Sequence, residues 1–489
     1  MTEHRSSADA ATPAGAGATA GATATATTAW RTTWTLLAFM LVNFADKTVM
    51  GLAAKPIRHE LGLTRGEFGL ASAAFFTLFS LAALGVSYLT RTVRTTWLLL
   101  GMALLWSAAQ LPMLWGAAGF GTLIATRVLL GAAEGPALPV ATHHLHGWFT
   151  QRERTLPTAV LLTGAAAGVA VAAPTLTLVI DHWGWRWAFG VVGIVGLLWA
   201  GYWAVRGEEG PYAPGLATTR GAAPGTAAVP TVSSGPTVSN GPTVTNSPTL
   251  PYRRILLTGT WLTAAFGAFA AYWTLSSALT WMPDYFETVC GLTLRQAGLL
   301  VTLAALANGV VLLTHGLLVQ RRKGRPGRGM AAGALMAVAS CALALFAATD
   351  LLWLKIVLLL GPMALANVIM TVAQTACARI SPPSQRGVVL GALAFVYASA
   401  GMLAPWTVGR VVDAAGSDAA GYRTAFLLTA ALTALAGVLA LCFLRPERQA
   451  ERLGVPLETP PDASEPADAP HAPTGPTRPT HPTGPTARG

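Results

Sequence analysis

The chain has 489 residues, 53% of them hydrophobic and only 11% charged, with a formal net charge of +11. Soluble proteins carry about 25% charged residues, so this composition excludes an ordinary soluble domain and points to a polytopic membrane protein. The basic residues fall mostly in short gaps between apolar runs, with no dense aromatic-basic stripe, which argues for membrane orientation and against nucleic acid as a partner.

Residues 1–30 are rich in Ala, Thr and Gly and show no cleavable signal pattern, so they read as a disordered cytoplasmic tail. A helix needs about 20 apolar residues to cross the hydrocarbon core. On that rule the sequence predicts an all-α protein with twelve spans, near 33–54, 68–90, 96–116, 119–141, 157–180, 187–205, 255–282, 295–319, 330–348, 351–378, 388–411 and 424–444. They divide six and six into bundles at 31–205 and 255–446. Two such halves suggest repeats around one central cavity.

In chain order, the first span carries Asp46 and Lys47 near its middle. Adjacent residues on a helix diverge by about 100° and so face two different neighbours. The gap after the second span holds Arg91 and Arg94, and the equivalent gap in the second half holds Arg321 and Arg325. These four are the candidate gating-loop residues on the cytoplasmic side.

The fourth span carries Arg127 and Glu134, seven residues apart and hence on one face, about 10.5 Å apart along the axis. Gly131 and Gly135 on the same helix would let a neighbour approach closely. His143, His144 and His146 follow. Without a Cys or carboxylate companion in ligand spacing they read as an interfacial segment, not a metal site. In the fifth span Gly164 and Gly168 predict close packing and Pro174 a bend.

Residues 206–254 contain an imperfect repeat starting at Pro230, Pro236, Pro242 and Pro248, a composition that cannot bury a core and reads as a flexible cytoplasmic linker. The second half offers a polar stripe of Asn367, Thr371 and Gln374 in span ten. Tyr272 and Ser276 lie four apart in span seven, and Asn308 and His315 seven apart in span eight. These are candidates for the second half's share of a binding cavity, except that His315, near the cytoplasmic end of its span, reads as interfacial. The competing role is interhelical hydrogen bonding, common in bundles at about 0.6 kcal/mol per contact. Residues 447–489 end in a Pro/Thr-rich run and read as a second disordered cytoplasmic tail.

The four scattered cysteines, Cys290, Cys341, Cys377 and Cys442, have neither metal-ligand nor disulfide-framework spacing. Lys and Arg are more numerous in the gaps on the side of the termini than in the opposite gaps, which predicts cytoplasmic termini in the plasma membrane.

Asp46, Lys47, Arg127 and Glu134 would each cost about 2.5–3.5 kcal/mol if they faced lipid at the bilayer centre. Together that is about 10–14 kcal/mol, comparable to the net stability of a whole domain. They therefore face inward and mark a pathway. The expected mechanism is that a proton on Asp46 or Glu134 frees Lys47 or Arg127 to bind an anion. A static packing role for the quartet is the competing possibility.

NFADKT (43–48), RVLLGAAEGPALP (127–139), WFTQRER (148–154), GWRWAF (184–189) and WMPDY (281–285) resemble the signatures of the anion:cation symporter (phthalate permease-like) family of the major facilitator superfamily. The resemblance implies a twelve-helix major facilitator fold and uptake of an organic anion with protons or sodium. It assigns coupling to Asp46 and Glu134 and carboxylate binding to Lys47 and Arg127. Several positions depart from the family pattern. Thr90 and Gln320 replace the acid that precedes the loop Arg, and Lys47 replaces an Arg. Leu78, Ala82, Ala394 and Ala398 replace residues that would hydrogen-bond a polar substrate. Those losses predict an apolar carboxylate in preference to a sugar acid, because buried unpaired hydroxyls cost about 1–3 kcal/mol each.

The expected protein is thus a monomeric secondary transporter without cofactor, driven by protons, with sodium as the alternative ion. Proton-driven export of a drug or secondary metabolite is an alternative. A transporter-derived receptor or sensor is a third reading. No nucleophile-base pair or phosphate-cradling loop marks an enzyme.

Overall fold

In hydrocarbon every backbone N–H and C=O must be satisfied within its own segment, so each apolar run folds as a helix. The computed structural model describes residues 14–90, 92–150, 153–213, 250–321, 328–382 and 385–455. Among them, twelve helical stretches are long and apolar enough to cross a membrane. The first six are Ala26–Leu52, Arg65–Ala83, Thr95–Leu114, Phe120–His146, Thr155–Trp183 and Trp185–Arg206. The second six are Gly259–Thr288, Leu294–Val319, Gly329–Ala348, Leu352–Arg379, Arg386–Asp413 and Asp418–Phe443. They are numbered spans one to twelve. No strand occurs among the described residues. Because the number of spans is even, the chain enters and leaves at one face, here the near face, opposite the far face.

The flanking segments differ from expectation. The first helix begins at Ala14, so residues 14–30 are helical and not a disordered tail; alanine has the highest intrinsic helix propensity. Residues 207–213 and 250–256 also belong to the folded part. Gly210 packs on the Gly147 backbone, and Leu250 exchanges two hydrogen bonds with the Gln385 amide at 3.0 and 2.7 Å. The presumed C-terminal tail starts with a helix, Pro446–Leu453, docked through Glu447 to Arg379 at 3.1 Å. The Pro-Thr-Val repeat, the Pro/Thr-rich end, Arg91 and Arg325 lie outside the described residues.

Two spans at equivalent places in the two halves are interrupted. Span four breaks at Gly135-Pro136, between the helices Phe120–Glu134 and Ala137–His146. Span ten breaks at Gly361-Pro362, where a short 3₁₀ segment, Pro362–Asn367, links Leu352–Leu360 to Val368–Arg379. Proline lacks the N–H that would continue each ladder. Span five runs unbroken through Pro174.

The halves meet mainly through spans two and eleven and spans five and eight. Gly69 lies against the Pro405 backbone and Gly409 against the Arg65 carbonyl, both toward the far face. Any side chain there would collide with main chain, so the glycines set the closeness of the two halves. Span eleven packs far more on the far part of span two, Arg65–Ala74, than on its near part, Phe76–Leu89. The contact between halves is therefore concentrated at the far face.

Candidate functional site

The four intramembrane charges come together as the spacing requires. Asp46 and Lys47 diverge to two neighbours. Lys47 Nζ pairs with Glu134 of span four, and also donates to Asn43 Oδ1 at 2.9 Å and to the Asn43 carbonyl at 3.2 Å. Asp46 accepts from the Gln110 amide of span three, whose Oε1 in turn accepts from Arg127 Nη2 at 3.0 Å. The chain of contacts therefore runs Arg127, Gln110, Asp46 on one side and Asn43, Lys47, Glu134 on the other. The Asp46 and Glu134 carboxyls are neighbours in this cluster. Each also has one oxygen that receives no donor.

Accessibility divides the quartet. Asp46 is 0% exposed, and Arg127 and Glu134 are 2% each. The Lys47 side chain keeps 14% of its surface, with Nζ 4.8 Å from the Phe44 ring centroid and 5.3 Å from that of Phe75. Arg127 turns away, over the Phe189 ring at 5.1 Å, so in this conformation it braces Gln110 and is not presented to a solute. Gly131 and Gly135 hold span four against the Phe75 and Phe79 carbonyls of span two. This close crossing brings Glu134 to the depth of Lys47.

The second half answers with aromatic and amide groups. Tyr272 stands 5.2 Å from Tyr397 and 5.8 Å, edge to face, from Phe76, which joins the two halves at mid-depth. Asn367, at the end of the span-ten interruption, donates to Asn308 Oδ1 at 3.0 Å. Thr371 and Gln374 continue that stripe on an exposed face, although the Thr371 hydroxyl bonds its own helix. Ser276 is buried and donates to the Gly401 carbonyl, so it holds span seven to span eleven. Leu78 is exposed, and Ala394 is half-buried.

Other motif residues have structural partners. Arg186 of GWRWAF pairs with Glu60 at 2.9 Å and donates to the carbonyls of Met113, Trp115 and Ala118, tying the loop between spans three and four to the far face. Arg154 closes span four by donating to the carbonyls of Phe149 and His146; Arg386 does the same for span ten at Ala378 and Ser381. The three histidines form the last turn of span four at the near face. They lie within the helix Ala137–His146, and His144 is buried, its Nδ1 2.8 Å from the Thr95 hydroxyl and 3.6 Å from Glu209. Among the described residues no group of His, Cys, Asp and Glu could hold a metal.

The loop residues named above and the interdomain ion pairs lie at opposite faces. Arg94 and Arg321 are exposed, with no ion pair among the described residues. At the far face, by contrast, buried Asp284 of WMPDY binds Arg58 at 2.6 Å, Arg65 at 3.4 Å and the Tyr422 hydroxyl. Arg65 also pairs with Asp418 at 2.6 Å, and the Arg65 and Gly66 amides donate to Asp413 at 3.0 and 2.6 Å. This latch ties spans one and two to spans seven, eleven and twelve. In the sequence Arg58 and Arg65 stand only among the basic residues of a short gap between spans, with nothing to mark a partner. The one clue to Gln110 was an amide inside an apolar run. The repeated Gly-Pro of spans four and ten was likewise readable, since paired interruptions in two halves point to a transporter's binding region.

The Major Facilitator Superfamily model matches residues 35–405 and again 363–478. The chain is 27% identical over 416 residues to a probable sulfoacetate transporter of Cupriavidus necator, covering 83% of this chain and 91% of that protein. It is 23% identical over 426 residues to a hexuronate transporter of Bacillus subtilis, covering 83% and 92%. Among solved structures, a bacterial homolog of the human lysosomal transporter Spinster superposes with a TM-score of 0.66 at 16% identity, over 87% of this chain and 98% of that one. A D-xylose-proton symporter gives 0.65 at 13%, over 85% and 98%. At such identities the two structures speak for the fold alone. The chain belongs to the Major Facilitator Superfamily and is a multi-pass membrane transporter, not an enzyme, consistent with the resemblance to its anion:cation symporters.

Proposed function

We propose that the protein brings a small organic anion into the cytoplasm together with a proton, by alternating access, as a single chain in the plasma membrane with both termini cytoplasmic. The observation that carries this reading is Lys47. It is the one partly exposed member of a buried charge cluster, held by Glu134 beside a second acid, Asp46. Two neighbouring buried carboxyls, each with an oxygen lacking a donor, gain a hydrogen bond when one of them takes a proton. That proton weakens the hold of Glu134 on Lys47, and the freed ammonium takes the anion. Linkage then requires the bound anion to favour the same protonation to the same degree. Arg127 acts through Gln110 by orienting Asp46. Closure at the far face by the Asp284 latch, with sparser packing of span eleven on the near part of span two, fits a conformation facing the cytoplasm.

The aromatic surroundings of Lys47 and the loss of hydrogen-bonding side chains at Leu78, Ala82, Ala394 and Ala398 favour a carboxylate or sulfonate with a compact apolar body over a sugar acid. Relatives are named for both kinds, sulfoacetate and hexuronate. Uptake into proteoliposomes of labelled sulfoacetate, benzoate, galactonate and glucuronate, with and without an inside-alkaline pH gradient, tests both points. Uptake confined to the polyhydroxylated acids would overturn the substrate class. Uptake that ignores the pH gradient and needs sodium would overturn the coupling ion.

A further inference from the structure

A cavity of about 440 Å³ opens at the far face of the second half, between the ends of spans seven and nine and the starts of spans ten and twelve. It includes none of the four intramembrane charges. Its polar lining is Lys355, Arg423, Asp350 and Tyr285. We propose that it is a second anion site, in which Lys355 and Arg423 receive the carboxylate or sulfonate of a small soluble organic anion with an apolar body.

Lys355 is the central observation. It is 6% exposed, yet no carboxylate lies within ion-pair distance of it among the described residues. Its Nζ donates to the Tyr285 hydroxyl at 2.6 Å and to the Phe346 carbonyl at 3.1 Å, and lies 5.3 and 5.0 Å from the centroids of those rings. An ammonium has three donors, and these neutral partners occupy two. Lys47, Arg58 and Arg65 each have an acid, and Arg127, the other buried cation, is linked to Asp46 through the Gln110 amide. A buried cation without an anion is costly to keep, and the open cavity is where an anion reaches it.

The rest of the lining has the matching sign and polarity. Arg423 is exposed on span twelve and has no ion pair among the described residues. Asp350 is the one acid in the lining, while nearby Asp418 is engaged with Arg65. Ala419 and Ala420, in the first turn of the 26-residue helix Asp418–Phe443, add the positive end of that helix. Phe426, Leu352 and Ala347 supply an apolar wall, which suits an organic body better than a bare halide. The site stands independently of whether its anion is also the transported solute.

Cys290 lines the same cavity and reports on it without any transport assay. In full-length protein carrying Cys341→Ser and Cys442→Ser, in neutral detergent, a sulfonate-bearing methanethiosulfonate should label Cys290 about tenfold faster than a trimethylammonium one, as charge focusing predicts. Millimolar benzoate should slow the anionic reagent and equimolar chloride should not. Lys355→Gln and Arg423→Gln should each bring the two reagents to similar rates. Arg423 is exposed, so its variant folds even if loss of Lys355 does not. Equal rates in the parent, or an unchanged preference in Arg423→Gln, would overturn the site. Protection by chloride as strong as by benzoate, or only in nanodiscs containing phosphatidylglycerol, would overturn the organic, soluble ligand.

Discussion

Arg58 Nη2 lies 2.6 Å from Asp284 Oδ1 across 226 residues of sequence, joining the short helix after the first span, Ala54–Leu61, to the end of the seventh span. Asp284 is wholly buried and also holds Arg65 and Tyr422, so it is the one acid on which the far-face closure converges. Asp284→Asn should therefore open that face. Truncating one partner of a buried pair costs about 3–5 kcal/mol, enough to move a two-state population by two or more orders of magnitude. Spin labels on the far ends of spans two and eleven should report a longer distance in the variant. An unchanged distance distribution would mean that the glycine-mediated packing and the contacts of Arg65 and Gly66 with Asp413 and Asp418 keep the face shut.

Lys47→Gln should abolish uptake and lower thermal stability together, because Glu134 is left buried and unpaired at a cost of about 3–5 kcal/mol. Adding Glu134→Gln should restore much of the melting temperature, since no buried charge is then left alone, while uptake stays absent. Lys47→Arg should keep partial uptake. If Lys47→Gln folds and transports fully, the cluster is a static packing device.

Gly131→Ala should be destabilising by about 1–3 kcal/mol, the usual cost of overpacking, because a methyl there would overlap the Phe75 carbonyl. Gly121→Ala, at the start of the same helix with open space around it, serves as the control and should be neutral. Melting temperatures in detergent compare the two.

Acid should release the segment after span six. Burial alone would raise the Glu209 carboxyl, but the Thr96 amide at 2.8 Å, His144, and the Thr95 and Thr96 hydroxyls at 2.9 Å hold it below the ordinary carboxylate range. A lowered folded-state pKa stabilises above the unfolded value, about 4.3 for Glu. That stability is lost as pH falls through the folded value. Proteolysis within 207–213 should thus be slow at neutral pH and accelerate below about pH 4. Glu209→Gln should be cleaved faster at neutral pH and show a flatter profile.

The twelve spans were legible because in hydrocarbon a helix must close its own hydrogen bonds, so length and apolarity alone reveal it. The quartet was legible because charge is so rare in such runs that Asp46, Lys47, Arg127 and Glu134 stand out, and the 100° step between Asp46 and Lys47 already demanded two separate neighbours. Only the tertiary structure decided who those neighbours are. Gln110 receives Asp46 because of how span three is rotated, and no periodicity within span three encodes a contact across 64 residues. The same holds for Arg58, Arg65 and Asp284, whose pairing depends on how two six-helix halves lean together, and for His144, drawn inside by a Glu209 that composition had assigned to a loose linker. Local pattern determines which segments enter the membrane and which residues cannot face lipid. The rotation and tilt of each helix, set by glycine contacts such as Gly131 on Phe75 and Gly409 on Arg65, determine which charges meet and which one remains open to a solute.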